Sequence, residues 1–168
     1  LEYRGYDSSG LVILSQDNQL VRKRAAGKVK NLENKLKLVK SKFEGNVGLA
    51  HTRWATHGKP SVKNAHPHIS KKSISLVHNG IIENYIDLKD LQMKQGYAFI
   101  SETDTEVIAH AIESAINPPT SLLKATQKAI KTLNGSYGIG VLSSKYPDQI
   151  IACLLYTSPS PRDAHESR

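Results

Sequence analysis

Gly48-Leu49-Ala50-His51-Thr52-Arg53-Trp54-Ala55-Thr56-His57-Gly58 is the stretch on which the reading of this 168-residue chain turns. Residues 46–52 read as a short strand opened by Gly45, and residues 53–70 then lose any sustained period and become rich in His, Pro, Gly and Asn. A strand that empties into so long an ordered loop marks a place where compact domains carry their chemistry. The stretch sets a guanidinium, an indole, two hydroxyls and two imidazoles together. Arg53 is able to grip a carboxylate through two parallel hydrogen bonds, which a lysine would not reproduce. Thr56 and the backbone around His57 add donors for the same group, and Trp54 is placed to cover a ligand and exclude water. The plainer alternatives are an ordinary salt bridge for Arg53 and a core position for Trp54.

Upstream, residues 10–15 and 19–25 read as a strand pair joined by the turn-prone Gln16-Asp17-Asn18. An amphipathic helix is expected over residues 28–42, with Val29, Leu32, Leu36, Val39 and Phe43 on one side and six lysines on the other. Downstream, residues 73–78 form a buried-type strand running into the turn dipeptide Asn79-Gly80, and a helix follows over residues 84–95, stopped by Gly96. Thr103 and Glu106 have capping-box spacing before a helix that Pro118-Pro119 ends, and Thr120 is expected to cap the next helix, to about Leu133. Strands close the pattern at residues 137–143 and 149–153. Paired helices between sets of strands predict a layered α+β domain over residues 1–153. Residues 154–168 show no period and read as a disordered or non-native tail.

The net charge of +8 raises nucleic acid, a membrane surface or an anionic substrate as partners. The lysines of the helix have no interleaved aromatics to stack bases, so they predict a solvated face and no nucleic acid. No apolar run is long enough for a membrane span, and no signal peptide stands out. The single cysteine excludes an internal disulfide and fits the cytoplasm. Histidines crowd between His51 and His78, and His66-Pro67-His68 has a spacing that zinc sites use. With no cysteine and no carboxylate at ligand spacing nearby, these histidines are expected to hydrogen-bond and brace the loop rather than hold a metal. No cofactor is called for either, since dinucleotide and phosphate-loop fingerprints and the Gly-x-Ser-x-Gly elbow are all missing.

Two further motifs carry chemistry. A strand ending at Asn79-Gly80 can aim the Asn side-chain NH2 and the Gly backbone N–H into one pocket, as an oxyanion hole requires. The alternative is a plain turn. Asp104 stands at a helix start, where its carboxylate could hold an ammonium or simply contribute to capping.

In order along the chain, residues 1–10 (with Arg4-Gly5-Tyr6-Asp7), 50–68, 77–84 and 101–110 resemble the glutaminase domain of glutamine–fructose-6-phosphate aminotransferases, a class II amidotransferase family. The resemblance runs to about Ala152 and implies a four-layer α/β/β/α sandwich of the N-terminal-nucleophile type. It implies that Arg53, Thr56 and His57 bind the α-carboxylate of glutamine and Asp104 its α-amino group. Asn79 and Gly80 would form the oxyanion hole, Trp54 would gate ammonia, and Arg4 with Gly5 would position a catalytic N-terminal cysteine. That cysteine, with its strand and helix, is absent here, so the chain is expected to be an inactive, truncated part of a homo-oligomeric enzyme acting on glutamine and fructose 6-phosphate. Alternatives within reach are another class II amidotransferase, of purine or asparagine type, or a non-catalytic amino-acid-binding module.

Overall fold

The computed structural model describes residues 7–39, 43–54 and 59–155. The first sheet has the order β2-β1-β3, all antiparallel, from β1 (Ser8–Leu14), β2 (Leu20–Ala26) and β3 (Val47–Arg53). β1 is central, and its sequence fits that place: apart from Leu11 every residue is buried, as in a strand covered on both faces. Helix α1 (Val29–Lys37) lies against β2 and β1, with only Leu32 fully buried and its lysines in solvent. It ends five residues short of the expected limit, and residues 40–42 lie outside the described residues.

The second sheet runs β4-β5-β6-β7, again antiparallel: β4 (His68–Ser70), β5 (Ile74–Ile82), β6 (Gly135–Ser143) and β7 (Ile150–Leu155). One face meets β3 of the first sheet, and the other meets the helices α3 (Glu106–Ala115) and α4 (Leu122–Ile130). Helix α2 (Tyr85–Lys94) packs on α3. The result is the expected α+β sandwich, with two antiparallel sheets between helices. The main core lies between the second sheet and its helices, where Ile74, Leu76 and Ile82 of β5 meet Val107, Ile108 and Ile112 of α3. Period two along β6 explains the division of faces: Tyr137, Ile139 and Val141 enter that core, while Gly138 and Gly140 face the other way. A Cβ on Gly140 would come within 3.1 Å of Val77 and 3.4 Å of Leu49, so a glycine there lets the sheets close.

Several local expectations are corrected. Asn79-Gly80 is no turn: β5 continues through both to Ile82, paired with β6 over its whole length. β4 falls inside the stretch read as loop. Thr103 does not cap α3; the N-cap is Thr105, without a side-chain capping bond. The Glu106 carboxylate instead accepts from the backbone N–H groups of Ile100 and Ser101 and from Ser101 Oγ (2.6 Å), so it fastens the preceding loop and not the helix end. Ser121, not Thr120, caps α4 by accepting from Lys124 N–H, and α4 ends at Ile130. The Thr120 carbonyl accepts from the Tyr146 hydroxyl. β7 reaches Leu155, and residues 156–168 lie outside the described residues. No helix among the described residues is long and apolar enough to cross a membrane.

Candidate active site

The end of β3, the middle of β5 and residues 103–105 meet around a cavity of about 220 Å³. Arg53, Trp54, Asn79, Gly80 and Asp104, which lie far apart in sequence, all line it. His51, Thr52, His66, His78, Thr103 and Thr105 complete the wall. Thr56, His57, Arg4 and Gly5 lie outside the described residues.

Arg53 closes β3 and is buried, its Nη1 3.3 Å from Asp7 Oδ1. A guanidinium presents a planar fork of donors, the geometry that suits an anion at the cavity wall. Trp54 follows at once and is 68% exposed, so the core position open to it from sequence is excluded. Asp104 is 3% exposed; its Oδ2 accepts from Ile82 N–H at 2.8 Å and its Oδ1 lies 3.9 Å from His78 Nδ1. The bond to β5 fixes the carboxylate at the cavity wall. Gly80 has φ +123°, and a Cβ there would lie 2.2 Å from the Ser136 carbonyl oxygen, so β5 passes this point only as glycine.

The histidines form a hydrogen-bonded shell behind the cavity. Thr105 Oγ1 lies between His66 Nε2 (2.9 Å) and His78 Nδ1 (2.8 Å). With one proton, the hydroxyl can donate to no more than one of the two rings, so at least one imidazole donates to it. His68 Nε2 meets Thr103 Oγ1 at 3.2 Å, and His51 Nε2 meets Asn79 Oδ1 at 2.7 Å. The expectation that histidines brace the loop is met by His66 and His68. Among the described residues no group of three or more His, Cys, Asp or Glu side chains is placed to hold a metal.

Other ties hold residues 59–67 in place. Arg24 donates to the carbonyls of Lys63 and Ala65, and Arg22 to that of Pro67. Buried Asn64 takes part in a reciprocal link to residue 102, its Nδ2 donating to Glu102 Oε2 and its Oδ1 accepting from Glu102 N–H. The Lys63 ammonium, with Asn64, brings the Glu102 carboxyl down to about 2. Residues 59–67 and the loop carrying Asp104 are thus one fastened unit.

This shell gives the domain a defined acid response. Burial, reinforced by His68, pushes His66 well below the ordinary 6.5, and burial with Arg24 nearby does the same to His68. Both stay neutral in the folded chain but take up protons in the unfolded one, so stability is expected to fall as pH drops below about 6.5. The Glu102 contribution is present above its unfolded value of 4.5 and is lost as pH falls from there towards about 2. Urea unfolding at intervals between pH 8 and pH 5 checks the first window, and a midpoint that does not move across it contradicts the assignment.

Sequence reasoning missed His51, His66 and Thr105 as cavity residues. His51 had a signal: it stands two residues before Arg53 and so shares its face of β3. His66 and Thr105 had none, because a loop and a helix cap meet there only in three dimensions.

The comparisons with known proteins agree with this geometry. The family model described as a glutamine amidotransferase domain matches residues 51–153, which include the whole cavity wall. The chain is 52% identical over 153 residues to glutamine–fructose-6-phosphate aminotransferase (isomerizing) of Buchnera aphidicola, covering 90% of this chain and 25% of that protein. It is 49% identical over 152 residues to the protein of the same name from Haemophilus influenzae, covering 90% and 24% respectively. The chain therefore spans about a quarter of the length of the curated relatives it matches. Among solved structures, glutamine phosphoribosylpyrophosphate amidotransferase from B. subtilis superposes with a TM-score of 0.68 at 26% identity, over 84% of this chain and 30% of that one. An N-terminal-nucleophile type of sandwich, a cavity assembled from dispersed motifs and a family match spanning that cavity lead to one assignment: this chain belongs to the glutamine amidotransferase domain family.

Proposed function

We propose that this chain is the glutamine-hydrolysing part of a cytoplasmic, homo-oligomeric amidotransferase that passes ammonia to fructose 6-phosphate, yielding glucosamine 6-phosphate and glutamate. The observation that carries the reading is the convergence of Arg53, Asp104 and Asn79-Gly80 on one small cavity. A cation and an anion at such a site fit the two charged ends of a free amino acid. Arg53, with Thr56 and His57, takes the α-carboxylate, and Asp104 takes the α-ammonium. The side-chain carbonyl of glutamine then points to the Asn79 amide and the Gly80 N–H. Attack by a thiolate forms a C–S bond and pushes the carbonyl electron pair onto oxygen, where those donors stabilise it. Collapse breaks the C–N bond, the nitrogen leaves protonated as ammonia, and water cleaves the thioester to glutamate.

No cysteine lines the cavity among the described residues; Cys153 sits on β7 opposite Ile139. The reading therefore takes its thiol from the family's N-terminal cysteine, which Arg4 and Gly5 would position. Trp54, exposed at the cavity edge, serves as the gate for ammonia. Identity near half to two aminotransferases that carry the fructose 6-phosphate name favours that acceptor over a phosphoribosyl one.

In the full-length protein, Arg53→Ala is expected to raise the KM for glutamine more than about a hundredfold. Two hydrogen bonds to a charged group at ~1.5–3 kcal/mol each set that scale. An unchanged KM removes Arg53 from its role. Incubation with glutamine and fructose 6-phosphate is expected to yield glucosamine 6-phosphate. Amination of phosphoribosyl pyrophosphate instead would overturn the acceptor.

A further inference from the structure

We propose that His51 is a positioning residue for glutamine hydrolysis, its Nε2–H holding Asn79 Oδ1 so that the Asn79 NH2 faces the reacting carbonyl. This rests on the reading of Asn79 as an oxyanion donor. A primary amide keeps nearly the same shape when turned over about its last bond, with oxygen and nitrogen exchanged. At an oxyanion site the two orientations act in opposite directions. With NH2 inward the developing negative charge is stabilised, and with the carbonyl inward it is repelled.

Asn79 is exposed on β5, and its side chain makes one hydrogen bond among the described residues, the 2.7 Å contact with His51. That contact crosses from the second sheet to the first, because His51 stands on β3. It occupies the amide oxygen and leaves both amide hydrogens for a substrate. An imidazole suits the task, since its ring is stiff and its far nitrogen reaches across a gap that a serine or threonine hydroxyl would not span. The ring is itself placed by a tilted contact with the His66 ring, 4.5 Å between centroids and 41° between planes, and His66 is tied to Thr105. Burial lowers the His51 pKa from its ordinary value. The ring is then neutral near pH 7 and carries a single proton, which the contact with Oδ1 puts on Nε2. The oxyanion donor is thereby linked, through two histidines, to the segment that carries Asp104.

The test is a double-mutant cycle in the full-length enzyme, read as glutaminase kcat and KM. Asn79→Ala is expected to lower kcat by about 10²–10³, the usual effect of removing one oxyanion donor. His51→Ala is expected to lower kcat about tenfold or more while KM for glutamine stays within about twofold, because only the transition state uses the oriented amide. His51→Gln, whose Nε2–H can reach the same oxygen, is expected to restore kcat to within about threefold of wild type. The double variant His51→Ala/Asn79→Ala is expected to be no slower than Asn79→Ala alone. In the unaltered protein, 15N shifts of His51 are expected to report the Nε2–H tautomer. Additive losses in the double variant, a kcat for His51→Ala near wild type, equal losses in the Ala and Gln variants, or an Nδ1–H tautomer would each overturn the inference. If Asn79→Ala itself leaves kcat intact, the oxyanion reading fails and the inference fails with it. A slow Asn79→Ala beside an unaffected His51→Ala sinks the positioning role alone.

Discussion

Replacing Asp104 with Asn in the full-length protein is expected to raise the KM for glutamine by roughly a hundredfold or more while leaving the domain folded. Asn is close to Asp in shape and keeps an oxygen able to accept from Ile82 N–H, so the tie between the 103–105 segment and β5 survives. What disappears is the negative charge, and an amide NH2 turned to the cavity repels an ammonium. Removing one member of a desolvated, hydrogen-bonded charge pair costs about 2–5 kcal/mol, and each ~1.4 kcal/mol is tenfold in affinity. Steady-state kinetics with a parallel thermal melt measures both halves of the expectation. A KM within a few fold of wild type, with the melt unchanged, places the α-ammonium elsewhere.

Gly80→Ala is expected to damage stability more than any substitution of a polar cavity residue. Two costs add at this position. A φ of +123° is strained for any residue with a side chain, at about 1–3 kcal/mol. The new methyl would also stand 2.2 Å from the Ser136 carbonyl oxygen and 2.7 Å from Tyr137 Cα, both backbone atoms of β6, the strand between β5 and β7. Backbone in a paired strand yields poorly, and overpacking of this kind costs a further ~1–3 kcal/mol. Against a domain stability of about 5–15 kcal/mol the sum is large, and a fall in Tm on the order of 10 °C is expected. Gly96→Ala separates the two costs. Gly96 has φ +87° with no atom within 4 Å of a Cβ, so its variant carries the strain without the collision. Equal losses at both positions would show that the close approach of β5 and β6 contributes nothing.

The same glycine shows where sequence reasoning succeeded and where it stopped. Long periodic segments were legible: the buried run of β1, the apolar stripe of α3 and the alternation of β6 each carry their own burial pattern in their residues. Asn79-Gly80 was misread as a turn because its local preference is real, yet the pairing of both residues with Gly138 and Tyr137 of β6 outweighs it. The conformational freedom of glycine serves a close approach inside a strand instead of a reversal between strands. Glu106 was misread for a related reason. The spacing from Thr103 suits a capping box, but Ser101 and the backbone of residues 100–101 offer the carboxylate buried donors that spacing rules do not see.

Of the cavity wall, Arg53, Asn79, Gly80 and Asp104 were legible because each stands in a short motif with a chemistry-bearing side chain or a donor-rich backbone. Their common destination was not written in any one segment. Arg53 reaches the cavity from the end of a strand, Asn79 and Gly80 from the middle of another, and Asp104 from a loop. The supporting shell was less legible still. His66, His68 and Thr105 matter through contacts across more than thirty residues, and no periodicity records those.

The central claim is that one cavity holds both charged ends of glutamine, through Arg53 and Asp104. Calorimetric titration of the full-length protein with glutamine and with two analogues, one lacking the α-amino group and one lacking the α-carboxylate, addresses it most directly. Each analogue forgoes one of the two charge-assisted contacts, so both are expected to bind at least about a hundredfold more weakly than glutamine. An analogue of either kind that binds within about threefold of glutamine would contradict the clamp.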